Sequence, residues 1–259
     1  MVKAKCLKSD EVVAVKLIMI HSKKDDVAGM NYRMKQLVSE VHILRKLSAI
    51  KGNVFTNKLL DVILPEKLDI NSSKPIPYLF LVMEYIPFDL LGIQESNKLA
   101  NKFSEQHIIV MLYNMLCSLN FFHSAGLLHR DIKPSNILVD KNCITKLCNF
   151  GHARPCLDST SKIEDAPESP EERQSIVKAL LSDRELREQQ PRALSPHVTA
   201  RRYRPPEVIV SEKVYDQAVD IWGLGCILGE LLLYLKTKES DKSQIFRGKH
   251  CYPLSPRNE

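Results

Sequence analysis

The sequence predicts an α+β chain with a small antiparallel sheet at its start and helices through most of the remainder. Short runs of β-branched residues alternate in the first part, and from Asn31 onward longer stretches space their apolar residues three and four apart. After them lies a run, His129 to Gly151, whose closely spaced polar residues fit one irregular loop. At 259 residues the chain is one large domain or two modest lobes, and either buries a sizeable core.

Composition narrows the function classes. A hydrophobic share of 44% and a charged share of 26% are ordinary for a globular protein. The net charge of +6 suits an acidic small ligand but is too weak and scattered for a nucleic-acid partner, so none is expected. Seven cysteines without a CxxC fit neither a disulfide framework nor a zinc module; Cys143 and Cys148, which flank a predicted strand, are expected to be buried free thiols. No basic-then-apolar leader follows Met1. The apolar run Ile221 to Leu235 is too short for a membrane span and holds Glu230, so a buried core helix is expected and no membrane partner.

In chain order, VKAKC and EVVAVKLI around a Ser9-Asp10 turn predict a hairpin. A helix follows from about Asn31 to Leu47, with Met34, Leu37, Val38, Val41, Leu44 and Leu47 as its apolar stripe and Glu40 beside it. Residues 57–64 and 78–85 read as two further strands. A long helix over 104–124 has Ser104 as N-cap and Ile108, Ile109, Leu112, Met115, Leu116, Leu119 and Phe122 on one face. Residues 157–175 read as a solvated loop, and Ser175 to Gln190 regains helical character.

The string HRDIKPSN from His129, followed by NFG at Asn149, resembles the catalytic and metal-binding loops of a eukaryotic serine/threonine protein kinase of the mitogen-activated type. VAVK ending at Lys16 and the DxWxxG pattern of Asp220, Trp222 and Gly225 extend the resemblance over almost the whole chain. It implies a bilobal protein-kinase-like fold, residues 1–86 forming the sheet lobe and 87–259 an incomplete helical lobe, with ATP and Mg2+ as cofactors. Aligned to the family, the glycine-rich phosphate loop falls upstream of Met1 and the final helices beyond Glu259.

The resemblance assigns roles residue by residue. Lys16 holds the nucleotide's phosphates and pairs with Glu40. Ala14 and Leu138 close over the adenine, Met83 is the gatekeeper, the backbone from Glu84 to Ile86 bonds the base, and Asp89 meets the ribose. Asp131 accepts the substrate hydroxyl proton, Lys133 neutralises the transferring phosphate, and Asn136 ligates the metal. Asn149 stands where the family has a metal-binding aspartate, which weakens the Mg2+ site. His129 is a packed structural residue, and Asp220 anchors the catalytic-loop backbone.

Residues 152–200 correspond to an activation segment, lengthened by an insertion. It closes with SPHVTARRYRPPEV, similar to the VATRWYRAPE pattern of mitogen-activated and cyclin-dependent kinases. Arg204 matches the arginine linked there to proline after the target residue, while Arg202 departs from a tryptophan and Ser195-Pro196-His197 replaces the Thr-x-Tyr pair. Ser195 is a candidate phosphosite with Arg130 as the cation receiving its charge. Glu207, whose usual arginine partner lies in the missing helices, is expected to be unpaired or solvent-exposed, with part of the core uncovered. The implied partners are protein substrates and an upstream kinase, the implied state a monomer in the cytoplasm or nucleus. Two readings stay open: a kinase with impaired activity, and a nucleotide-binding pseudokinase acting as a signalling scaffold.

Overall fold

The computed structural model describes residues 1–7, 9–19, 27–64, 78–96, 103–155, 200–209, 216–239 and 244–248. The predicted helix over Ser175 to Gln190 and the candidate phosphosite Ser195 lie outside these residues.

Strands β1 (Val2–Lys5), β2 (Val12–Met19), β3 (Leu59–Ile63) and β4 (Tyr78–Glu84) form one antiparallel sheet in the order β1-β2-β4-β3. Asp10, at φ 62°, makes the left-handed residue of the β1–β2 turn, a conformation that aspartate tolerates. The β2–β4 register sets Ala14 opposite Met83 and Lys16 opposite Leu81, and Leu81 is fully buried. Helix α1 (Val27–Ala49) begins earlier than its apolar period suggests. It buries Leu37, Glu40, Ile43, Leu44 and Leu47, whereas Met34 and Val38 of the expected stripe are exposed. The covered face is narrower than the apolar one.

The helical part is built on α3 (Glu105–Ser124), which follows β5 (Phe88–Asp89) and the short α2 (Leu90–Glu95). Ser104 caps α3 through the His107 ring, whose Nδ1 accepts from the Ser104 backbone at 3.1 Å. Ile108, Met111, Met115, Leu119 and Phe122 are buried; Ile109 and Leu116, placed on the same face by spacing, are exposed because the buried stripe is narrower than the apolar one. After β6 (Leu127–Leu128), the hairpin β7 (Ile137–Val139) and β8 (Thr145–Leu147) pairs with β5, and β6 pairs with β9 (Arg154–Pro155). Helices α4 (Pro206–Ile209) and α5 (Ala218–Thr237) complete the described elements, with α5 packed on α3. Among the described residues α5 is the one helix long and apolar enough to cross a membrane, and half of its apolar window is buried inside the fold.

One apolar cluster runs from Leu37, Leu44 and Leu81 through Met115, Phe122 and Phe150 to Ile227 and Leu231, joining the sheet part to the helical part. Cys148 is buried and its thiol is pushed up to about 12 by that burial, but Cys143 is only partly buried because it sits in the β7–β8 turn. All described cysteines are free thiols.

Candidate active site

The site lies where β2, α1, the loop from His129 to Asn136, and the turn after β8 meet. Lys16 extends from β2 and its Nζ lies 2.6 Å from Glu40 Oε1. Glu40 is 6% exposed, so the pair sets a carboxylate inside the fold against an ammonium that keeps some contact with solvent. Lys16 Nζ also donates to Asn149 Oδ1 at 3.4 Å.

From Asn149 the polar contacts continue without a break. Asn149 Nδ2 donates to Asn136 Oδ1 at 3.1 Å, and Asn136 Nδ2 donates to the Asp131 carbonyl at 2.7 Å and to Asp131 Oδ2 at 2.9 Å. Lys133 Nζ closes the series 2.7 Å from Asp131 Oδ2. Two ammonium groups therefore bracket a line of amides and one carboxylate. The structure thus brings Lys16, Glu40, Asp131, Lys133, Asn136 and Asn149 into one cleft.

The backbone beneath is fastened from behind. Asp220, fully buried on α5, accepts from the His129 and Arg130 amides at 2.8 and 2.7 Å, and His123 Nε2 lies 2.8 Å from the same carboxylate. Arg130 takes φ 65° in the bend that these two bonds hold. His129 is wholly buried, packed against Phe122 and Phe150, with Nε2 bonded to the Cys148 carbonyl at 3.0 Å. Phe150 stacks on Phe122 with centroids 5.2 Å apart, which sets the adjacent Asn149 toward Lys16. Arg130 is 3% exposed, and its Nε donates to the His152 carbonyl at 2.7 Å. Its relation to Ser195 lies outside the described residues.

The nucleotide-contact candidates line up along neighbouring strands. Ala14 and Met83 are buried, and Leu138 on β7 pairs with Asp89 on β5. Asp89 Oδ1 is engaged as the cap of α2, accepting from Gly92 N at 2.8 Å. Glu84 sends its carboxylate to Lys146 at 2.8 Å, its backbone N–H is bonded to Lys58 O, and Ile86 follows β4 partly buried. Arg204 ends a helical turn, Arg201–Tyr203, far along the chain from this cleft. Glu207 makes no ion pair among the described residues.

Several supporting residues carry no sequence signal. Asn53 turns the chain after α1 by accepting from Phe55 and Thr56, which lets Phe55 and Asn57 bond Leu147 on β8. His123 and Lys146 likewise act through partners distant in sequence. Gln36 Nε2 lies 3.4 Å from His152 Nδ1, and burial pulls that imidazole below its ordinary value.

These residues fit a nucleotide's phosphates better than a resident divalent ion. Lys16 offers a fixed cation with part of its surface open to solvent. The two residues expected to ligate a metal are neutral amides, and Asn136 Oδ1 is occupied by the Asn149 amide, where a hard cation calls for anionic oxygens. No cluster of three acidic, histidine or cysteine side chains suited to a metal occurs among the described residues.

A two-part fold with a lysine–glutamate pair facing an HRD loop and an NFG turn defines the protein kinase class. The sequence matches the protein kinase domain family over residues 1–251, and the chain belongs to that family. Its relatives include serine/threonine-protein kinase NLK2 of Xenopus laevis, 32% identical over 76% of this chain and 36% of that protein. Mitogen-activated protein kinase 15 of Rattus norvegicus is 33% identical over 89% of this chain and 34% of its own length. A serine/threonine-protein kinase of Debaryomyces hansenii is 32% identical over 94% of this chain and 36% of its own length. The chain spans about a third of the length of these relatives.

Proposed function

We propose that the chain is an ATP-dependent serine/threonine kinase of the mitogen-activated type, acting as a monomer on proline-directed protein substrates in the cytoplasm or nucleus. An upstream kinase acts on it through Ser195, with Arg130 receiving the charge. The observation that carries this reading is the unbroken polar series from Lys16 through Asn149, Asn136 and Asp131 to Lys133.

In this reading Lys16, steadied by Glu40, orients the α- and β-phosphates, and Asp89 meets the ribose. Ala14, Met83, Leu138 and the backbone from Glu84 to Ile86 enclose the adenine. Asp131 accepts the proton of the attacking hydroxyl, and Lys133 offsets charge on the phosphoryl group in transit. Arg204 serves the proline that follows the target residue. The neutral Asn149 costs the transition state ~3–5 kcal/mol, a rate loss of ~10²–10⁴-fold.

The test is transfer of labelled phosphate from ATP to a Ser-Pro peptide by the chain and by Asn149→Asp. A gain of roughly that size in the variant is expected. Nucleotide binding by both with transfer by neither replaces this reading with a second one, a nucleotide-binding scaffold. That second reading is favoured by the Asn149 amide on Asn136 Oδ1, which takes up the oxygen a metal would use.

A further inference from the structure

We infer that the hollow beside the Arg201–Tyr203 turn is a docking site for an acidic segment of a protein substrate, one bearing carboxylate or phosphoryl side chains. Its volume is about 530 Å³, and Arg201, Arg202, Arg204 and Arg247 line it together with Trp222 and Phe246. The helical turn sorts its side chains: Arg201 and Arg202 are exposed, while Tyr203 between them and Arg204 turns inward and donates to Glu230 at 2.8 Å. The carboxylate facing Arg202 is thus already engaged, and burial raises its proton affinity.

The aromatic wall is preformed. Trp222 stacks on Phe246 with centroids 5.9 Å apart and rings 16° from parallel, leaving a flat apolar surface beside several guanidinium groups. Planar guanidinium groups take carboxylate or phosphate bidentately, and the aromatic faces accommodate the peptide's apolar stems. Charge complementarity selects an acidic occupant and repels a basic one.

The same helix, α5, borders both the hollow and the loop of the cleft. Gly223, next to Trp222, packs so tightly on the catalytic loop that an added Cβ would lie 3.0 Å from Ile132 Cβ, and Ile132 follows Asp131. The term substrate rests on the kinase reading above; the binding itself does not.

The experiment is fluorescence anisotropy of three labelled peptides with the full chain: one with glutamates around a central serine, its glutamine counterpart, and a counterpart with phosphoserine. Binding of the glutamate peptide, the phosphoserine peptide or both roughly tenfold or more tighter than the glutamine peptide is expected, with the advantage shrinking as salt rises. A gain for phosphoserine alone identifies the phosphoryl group as the ligand; a gain for both shows that carboxylates suffice. The advantage is expected to vanish in Arg201→Gln/Arg202→Gln, and to weaken in Arg247→Gln, with melting curves checking that each variant folds. Equal affinities, no binding, or an advantage unchanged in these variants overturns the proposal. Phosphate transfer to the Ser-Pro peptide is scored separately, so acidic peptides that bind while neither the chain nor Asn149→Asp transfers phosphate leave the docking site standing and remove the kinase reading alone.

Discussion

Asn149 takes φ 67° and ψ 73°, a left-handed conformation that asparagine and aspartate tolerate better than other residues with a Cβ, so exchanging the two changes charge without disturbing the backbone. With the amide present, Asn136 Oδ1 has a donor of its own. Nucleotide affinity is therefore expected to be nearly the same with excess Mg2+ as with a chelator, and to become magnesium-dependent in Asn149→Asp; titration with a fluorescent ATP analogue measures both. The residues of this cleft were legible because their spacing along the chain is itself the signal, HRD to KPxN to NFG, with Lys16 closing a recognisable tetrapeptide. The donor direction between Asn149 and Asn136 was not, since it exists only once the two loops face each other.

Among the elements, α5 bears most directly on the cleft. Its buried Asp220 fixes the backbone amides of His129 and Arg130, and Gly223 one turn along lets the helix touch Ile132. A methyl group there presses on a backbone carbonyl that cannot retreat without shifting Asp131. Gly223→Ala is expected to cost about 1 kcal/mol, overpacking outweighing the gain in helix propensity. It should slow phosphate transfer and leave nucleotide affinity unchanged, which urea unfolding and paired kinetic and binding assays will read. The sequence period identified α1 and α3 as helices but misjudged their covered faces. Met34, Val38, Ile109 and Leu116 satisfy the three-four spacing yet are exposed, because a period reports which residues share a side and not how wide a neighbour covers it.

For the whole molecule, the continuous apolar cluster links cleft geometry to global stability, and buried ionisable groups give that stability a pH dependence. Burial raises Glu230 above its reference value of 4.5, against the Tyr203 hydrogen bond and the Arg202 charge, which lower it. The native state then holds its proton more tightly than the unfolded chain does. The associated stability is fully present below the usual carboxylate range and is lost as pH rises through the elevated value. Glu230→Gln is expected to flatten the fall in melting temperature from mildly acidic pH to neutrality; an unchanged slope would assign that fall to other groups. The strands and helices followed from local patterns and their two-lobed arrangement from the kinase resemblance, but the arginine hollow followed from neither, because Arg202, Trp222 and Phe246 are separated in sequence and meet only through packing.

Trp222 is the chain's single tryptophan, and 38% of its surface stays open while it stacks on Phe246. Indole emission from the native protein therefore originates at one place. Quenching or a spectral shift reports events at that aromatic pair alone, which gives the protein an intrinsic optical probe without any label.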